Sequence, residues 1–267
     1  LQRARLADPL AGLWEAADVQ WWWRKPQQSD EIDQLFWLDD DGPVAGVLLT
    51  SSDNDTWQCD PVVVPGVSGC EPDDVWGRAL EHAAEHALAG FDVLVSDGDA
   101  FAEVARRSSL TPDYRDSTGW MDAADRPAIS APADGFTLVD GTQRLEVPHH
   151  MRHRSGDAVK ERLEQCSLYD PALDLVVESA DGRVAGYSLY WFDPTTKVGL
   201  VEPVRVEDEF QRRGLASAML TAGIDRLVAR GAERVKISYG SEAAEGTYLG
   251  LGFRPTSTAT WYRQSAG

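Results

Sequence analysis

No stretch of the sequence approaches the ~18 consecutive apolar residues that carry a helix across a bilayer, so no membrane span is expected. Cysteine is scarce. Cys59, Cys70 and Cys166 are an odd number without motif spacing, which excludes a disulfide frame and predicts reduced thiols in a cytoplasmic protein. Basic charge is short as well: 25 lysines and arginines face 44 carboxylates, a formal charge of −19. That surplus argues against nucleic acid or an anionic membrane as a partner and favours a cationic small molecule. Leu1-Gln2-Arg3 carries neither an apolar signal core nor an initiator methionine, so a trimmed start is expected. What the chain does have is material for a core. With 267 residues, 43% of them apolar, it can build one large domain or two of ordinary size.

The charge is uneven. Residues 1–130 hold 9 basic against 25 acidic side chains, whereas residues 131–267 hold 16 against 19. Seven of the second half's 16 basic groups lie between Arg205 and Lys236, a local zone suited to an anionic ligand. The halves also repeat. Asp41-Gly42-Pro43-Val44-Ala45-Gly46 returns as Asp181-Gly182-Arg183-Val184-Ala185-Gly186, and Asp60-Pro61-Val62-Val63-Val64 as Glu202-Pro203-Val204-Arg205-Val206. Val93–Ser96 matches Val235–Ser238, Leu110-Thr111-Pro112 matches Phe253-Arg254-Pro255, and Trp120 matches Trp261. The matches keep their order with a shift that drifts by only three residues, from 140 to 143, which indicates a tandem duplication. The Pro/Ala stretch between the copies reads as a linker. The expected division is 1–127, a linker at 128–135, and 136–267.

Each copy reads alike. An apolar strand (Leu35–Leu38; Leu173–Glu178) enters an Asp-Gly hairpin turn, and a second strand follows (Val44–Thr50; Val184–Trp191). A third strand starts near Trp57 or Val198. Then comes an amphipathic helix, striped in the second copy by Leu215, Met219, Leu220, Ile224, Leu227 and Val228 and stopped at Gly231. A buried strand (Arg234–Ser238), a short helix (Glu242–Leu249) and a last strand (Thr258–Arg263) complete it. A strand at Phe136–Val139 and a helical stretch from Arg144 to Cys166 precede the second copy, and Asp8–Arg24 is helix-like in the first. Hairpins mixed with crossover helices predict an α/β fold with mixed sheets.

Gln211-Arg212-Arg213-Gly214-Leu215-Ala216 lies between the Pro-Val-x-Val strand and the amphipathic helix. Amides at a helix start are unpaired and carry the positive end of the dipole, and Gly214 allows close approach, so a pyrophosphate could be cradled there. A plain helix start with solvated arginines explains the hexamer equally well. A second motif, Tyr248-Leu249-Gly250-Leu251-Gly252-Phe253, follows at the distance of a helix plus a strand. With both in place, residues 136–265 resemble the GNAT superfamily of acetyl-CoA-dependent N-acetyltransferases, whose signatures are Arg/Gln-x-x-Gly-x-Gly/Ala and Tyr-x-x-Leu-Gly-Phe. The whole resembles a tandem GNAT protein with a degenerate N-terminal copy.

The resemblance implies two acyl-CoA N-acyltransferase-like domains and one acetyl-CoA site. The backbone of Val204, Arg205 and Val206 would pair with the pantetheine arm, and an N–H there would polarise the thioester carbonyl. The segment Gln211, Arg212, Arg213, Gly214, Leu215, Ala216 and Ser217 would hold the pyrophosphate. Tyr248 would protonate the departing thiolate. Ser241 stands where the family often has an Asn that contacts the pantetheine. Glu202 lies two residues before Val204 and shares its strand face. In the family a base or a residue holding a base-linked water often sits there, and a partly buried carboxylate would suit proton transfer. A strand-end carboxylate paired with Arg205 is an equally good reading.

His149, His150 and His153 lie close together with Arg152. No cysteine or carboxylate completes a ligand set in the sequence, so no metal is expected, and the helix they begin lines the acceptor side in GNAT folds. Trp21-Trp22-Trp23 reads as packing, with an aromatic cage for a cation as the alternative. The first copy lacks the cradle. Glu71, Asp73 and Asp74 stand where phosphates would need cations, and Ala105 occupies the position of Tyr248. The expected activity is transfer of acetyl from acetyl-CoA to a primary amine of a cationic small molecule in a ternary complex, with a homodimer compatible. A non-catalytic acyl-CoA-binding module is the alternative.

Overall fold

The structure, a computed structural model, describes residues 1–22, 27–51, 56–86, 90–144 and 147–265. It forms two compact units, Leu1–Ser117 with Thr256–Gly267, and Thr118–Pro255.

The first unit starts with α1 (Gln2–Ala7) and α2 (Ala16–Trp22). The helix expected from Asp8 begins only at Ala16, because the Asp8 carboxylate accepts the amides of Leu10 and Ala11 across Pro9 and holds the chain in a turn. Strands β1 (Leu35–Asp39) and β2 (Gly42–Ser51) pair antiparallel around the Asp-Gly turn, with Asp39 opposite Gly42. Next come β3 (Trp57–Val63), α3 (Pro72–His86), β4 (Gly90–Ser96), α4 (Phe101–Arg107) and β5 (Thr111–Asp122). Val47, Leu49, Cys59, Val93 and Val95 pack on Val75, Trp76, Ala79 and Ala83 of α3. These helix positions recur at three and four residues, so α3 buries one face.

The second unit holds the end of β5, then β6 (Phe136–Asp140), α5 (Arg152–Ser155), α6 (Val159–Leu163), β7 (Asp174–Ser179), β8 (Val184–Asp193), β9 (Val198–Val206), α7 (Leu215–Ala229), β10 (Arg234–Tyr239) and α8 (Glu242–Gly250). The helical stretch expected from Arg144 to Cys166 is broken at Gly156, which adopts φ +82° between α5 and α6. The helix α7 connects β9 to the parallel β10. Its Met219, Leu220, Ile224 and Leu227 are fully buried, as the stripe predicts.

The last strand, β11 (Arg254–Ser265), runs antiparallel to β4 from Ala259 opposite Ser96 to Ser265 opposite Gly90. Strand order is therefore β1-β2-β3-β4-β11-β5 in the first unit and end of β5-β10-β9-β8-β7-β6 in the second. These boundaries differ from a cut at 128–135. The closing residues of β5 lie beside β10 and count with the second unit, whereas β11 lies beside β4 and counts from Thr256 with the first. The class is α/β with mixed sheets, as element order predicts. No helix among the described residues is long and apolar enough to cross a membrane.

Gly223 marks how closely α7 seats on the sheet. An added Cβ there would collide with the ring of Tyr190, which is fully buried and donates its hydroxyl to Met219 O at 2.8 Å. Gly223→Ala is expected to destabilise the protein by about 1–3 kcal/mol or more, because the ring has nowhere to go. Urea unfolding would show this as a lower midpoint with an unchanged slope.

Candidate functional site

The strand β9 pairs with β10 only from Val198 to Val201, where Val201 faces Ile237. Its pairing with β8 continues to Val206, after a register shift opposite Ser188–Tyr190. The irregularity falls at Glu202-Pro203, and proline brings no N–H to a ladder. Trp191 Nε1 donates to the Glu202 carbonyl at 2.9 Å and pins the bend. From here the strand leaves β10, so the β10-side edge of Val204–Val206 has no strand partner among the described residues. Backbone donors and acceptors along such an edge can take an extended ligand as an added strand. The Arg205 side chain turns to Asp208 at 2.9 Å and Glu207 at 3.6 Å, not to Glu202.

Beyond β9 the chain enters the start of α7. Arg212 and Gly214 both take left-handed conformations, at φ +60° and +74°. Left-handed residues in such a turn bring successive N–H groups to one side and form an anion-binding hollow. The first intrahelical bond of α7 is Ala218 N–H to Gly214 O, so the amides of Leu215, Ala216 and Ser217 precede the ladder. An added Cβ at Gly214 would meet no atom within 4 Å, which leaves room for a ligand against the backbone. Gln211 donates to Val206 O at 3.4 Å and Asp208 Oδ1 at 3.1 Å, tying the turn to the end of β9. Arg213 lies over Phe136 and Phe210, 5.8 Å from each ring centroid, and donates to Glu209 O.

Tyr248, on α8, is buried between Tyr239 and Phe253. Burial, with the negative charge of nearby Glu202, pushes its hydroxyl pKa up to about 12. The phenol therefore keeps its proton near neutrality. Glu202 is thus near enough for its charge to act on the Tyr248 phenol. Glu202 is exposed rather than partly buried, because the bend turns it out of the ladder. Ser241 caps α8, its Oγ accepting Ala244 N–H at 3.3 Å.

The histidines open on a cavity of about 460 Å³ that His149, His150, His153, Arg152, Arg154 and Tyr187 help to line. Behind it lies a group the sequence does not single out. Asp174, fully buried at the start of β7, accepts His149 Nε2 at 2.8 Å and the Tyr169 hydroxyl at 2.9 Å. His150 Nε2 lies 2.9 Å from the other oxygen, off the hydrogen-bond direction. A carboxylate thus does join the histidines, from 24 and 25 residues away, a spacing that carries no motif. The Met151 amide donates to His149 Nδ1 at 3.2 Å, so His149 offers its Nε2 proton to Asp174.

In the first unit the equivalent turn carries Pro65 and Pro72. Asp73 and Asp74 lie in the first turn of α3, and Asp73 pairs with Arg107 at 3.0 Å. Ala105 is buried in the core. Trp21 lines a cavity of about 300 Å³ with Trp57, Tyr114 and Trp261. Trp23 and the Trp22 side chain lie outside the described residues.

The profile of the acetyltransferase (GNAT) family matches residues 142–253. The mycothiol acetyltransferase of Clavibacter michiganensis subsp. michiganensis is 28% identical over 200 residues, 73% of this chain and 62% of that protein. The mycothiol acetyltransferase of Clavibacter sepedonicus is 27% identical over 200 residues, 73% of this chain and 63% of its own length. The chain thus spans less than two thirds of these curated relatives. Among solved structures, a GCN5-related N-acetyltransferase from Sphaerobacter thermophilus superposes with a TM-score of 0.62 at 18% identity, covering 89% of this chain and 83% of that one. A tandem GNAT protein from the clavulanic acid biosynthesis pathway gives 0.65 at 16%, covering 86% and 81%. Both likenesses concern the fold.

The buried network makes stability sensitive to acid. Burial alone would raise the Asp174 pKa, but the contacts from His149 and His150 outweigh it and hold the carboxyl at about 2, below its ordinary 3.8. Its contribution is complete above 3.8 and is lost as pH falls towards 2. His150 acts at higher pH in the same direction. Burial lowers its pKa below 6.5, so on acidification the unfolded chain takes up that proton first. Asp174→Asn is expected to cost about 3 kcal/mol near neutrality and to flatten the lower acid limb. Melting temperature followed against pH, wild type beside variant, checks both.

Proposed function

We propose, on the match of residues 142–253 to the acetyltransferase (GNAT) family, that the second unit moves the acetyl group of acetyl-CoA to a primary amine by direct transfer in a ternary complex. The observation that carries this reading is the parting of β9 from β10 beside the α7 cradle, with Tyr248 and Glu202 together at the bend.

The residues fit such a donor. Amides of Leu215, Ala216 and Ser217, with the turn at Arg212–Gly214, would accept the pyrophosphate, and Arg212 and Arg213 would add positive charge. The free edge of Val204–Val206 would pair with the amide groups of the pantetheine arm. One N–H of that edge would stabilise negative charge on the thioester oxygen as the amine attacks. Tyr248 holds a proton at neutral pH and would donate it to the leaving sulfur. Glu202 faces solvent, so it would attract a cationic amine and take its proton directly or through water. Ser241 is already engaged in capping α8, so its contact with the donor would be short. The relatives named mycothiol acetyltransferase support a small-molecule acceptor, and the net charge of −19 supports a cationic one.

Tyr248→Phe is expected to lower kcat by about 10²–10⁴-fold with CoA affinity nearly unchanged, since the hydroxyl is needed only as the thiolate leaves. Steady-state release of free thiol from acetyl-CoA over an amine panel reads this out, and full turnover in the variant would remove Tyr248 from the mechanism.

Binding of CoA is expected to be one per chain despite the duplicated fold. In the first unit prolines and carboxylates replace free amides at the equivalent turn. Titration calorimetry of the intact chain measures the stoichiometry. Gly214→Glu, which puts a negative charge into the hollow, should abolish the heat.

A further inference from the structure

Outside the transfer site, one cluster in the first unit has the makings of a ligand set. His82, Glu85 and His86 follow one another at i, i+3 and i+4 on the last turns of α3, so they share a face. One ligand atom from each lies within 4.8 Å of the other two. Bound to one ion at about 2.0–2.2 Å, such atoms sit roughly 3–3.6 Å apart. Glu85 and His86 are exposed and free to close that difference by rotation.

His82 sets the cluster apart from a chance meeting of polar side chains. It is buried, at 3% exposure, on the core face of α3. Its ring makes a hydrogen bond to the backbone of Asp33, while Nε2 is buried without a partner. A ring that donates one N–H to a carbonyl presents the other nitrogen as a lone pair, the arrangement of metal-bound histidines. Three features favour a cation over an empty contact. The set lies at the negative end of α3. It lies in the half of the chain with 25 carboxylates against 9 basic groups. Arg78, one turn earlier on α3, pairs with Glu81 at 3.0 Å. In the other cluster, around Asp174, His149 already gives its Nε2 proton to the carboxylate.

We propose that His82, Glu85 and His86 bind one divalent transition-metal ion, with the remaining positions open to water. Two imidazoles and a carboxylate suit zinc or copper better than calcium or magnesium. The ion would join the last turn of α3 to the segment at Asp33 through His82. It takes no part in acetyl transfer, and it departs from the sequence expectation of no metal.

The test uses the full chain, free of affinity tag and treated with chelator, titrated with zinc chloride in a calorimeter near neutral pH. His86→Ala and Glu85→Gln change exposed side chains only, and circular dichroism in chelator confirms that both fold. The expected result is one zinc fewer per chain in His86→Ala, or binding weakened by more than about tenfold, with a smaller loss in Glu85→Gln. Zinc should also raise the melting temperature of the wild type and not that of His86→Ala. Equal zinc binding and equal thermal shift in wild type and His86→Ala would overturn the proposal.

Discussion

Backbone donors and acceptors inside a sheet are normally paired along its whole length. The strand β9 keeps that rule with β8 and gives it up with β10 after Val201. The irregular Glu202-Pro203 step sets the place, and the indole of Trp191 fixes it by holding the Glu202 carbonyl. The rest of the site is arranged around that opening. The edge from Val204 onwards is left open towards β10, the turn before α7 follows within a few residues, and α8 brings Tyr248 within reach of the Glu202 charge. A flat, fully paired sheet would have neither the edge nor the cleft.

Charge is handled on two scales. Across the whole chain the acidic excess is large, and it would repel an anionic donor at long range. Close to α7 the backbone supplies the positive field instead, through amides and the helix dipole. Those fixed dipoles are tied to the fold, whereas the arginines around them are engaged by carboxylates and aromatic rings: Arg205 by Asp208, Arg213 by Phe136 and Phe210. Buried charge follows a stricter rule. Asp174 is kept ionised in the interior by the groups that close on it, and it anchors the segment that begins at His149 to β7.

Much of this is legible in the sequence. The Asp-Gly turns, the stripe of α7 and the paired motifs at Gln211–Ala216 and Tyr248–Phe253 are local patterns, and local patterns survive translation into structure. The break at Gly156 and the turn at Asp8 were missed because a single residue there outweighs the periodicity around it. The partnership of Asp174 with His149 is invisible for another reason: it depends on how β7 is placed in its sheet, not on spacing along the chain. Burial of Glu202 failed as an expectation because alternation assumes a regular strand, and the bend lies at that residue.

The placement of the last strands bears on the history of the gene. A duplication begins as two self-sufficient copies, and either one can be deleted while the other still folds. Here β11 completes the ladder beside β4, and the end of β5 serves beside β10. A cut between the copies would leave β4 without β11 and β10 without the closing residues of β5. Either half alone would therefore carry an open sheet edge, which ties the two together in the chain whatever chemistry each performs.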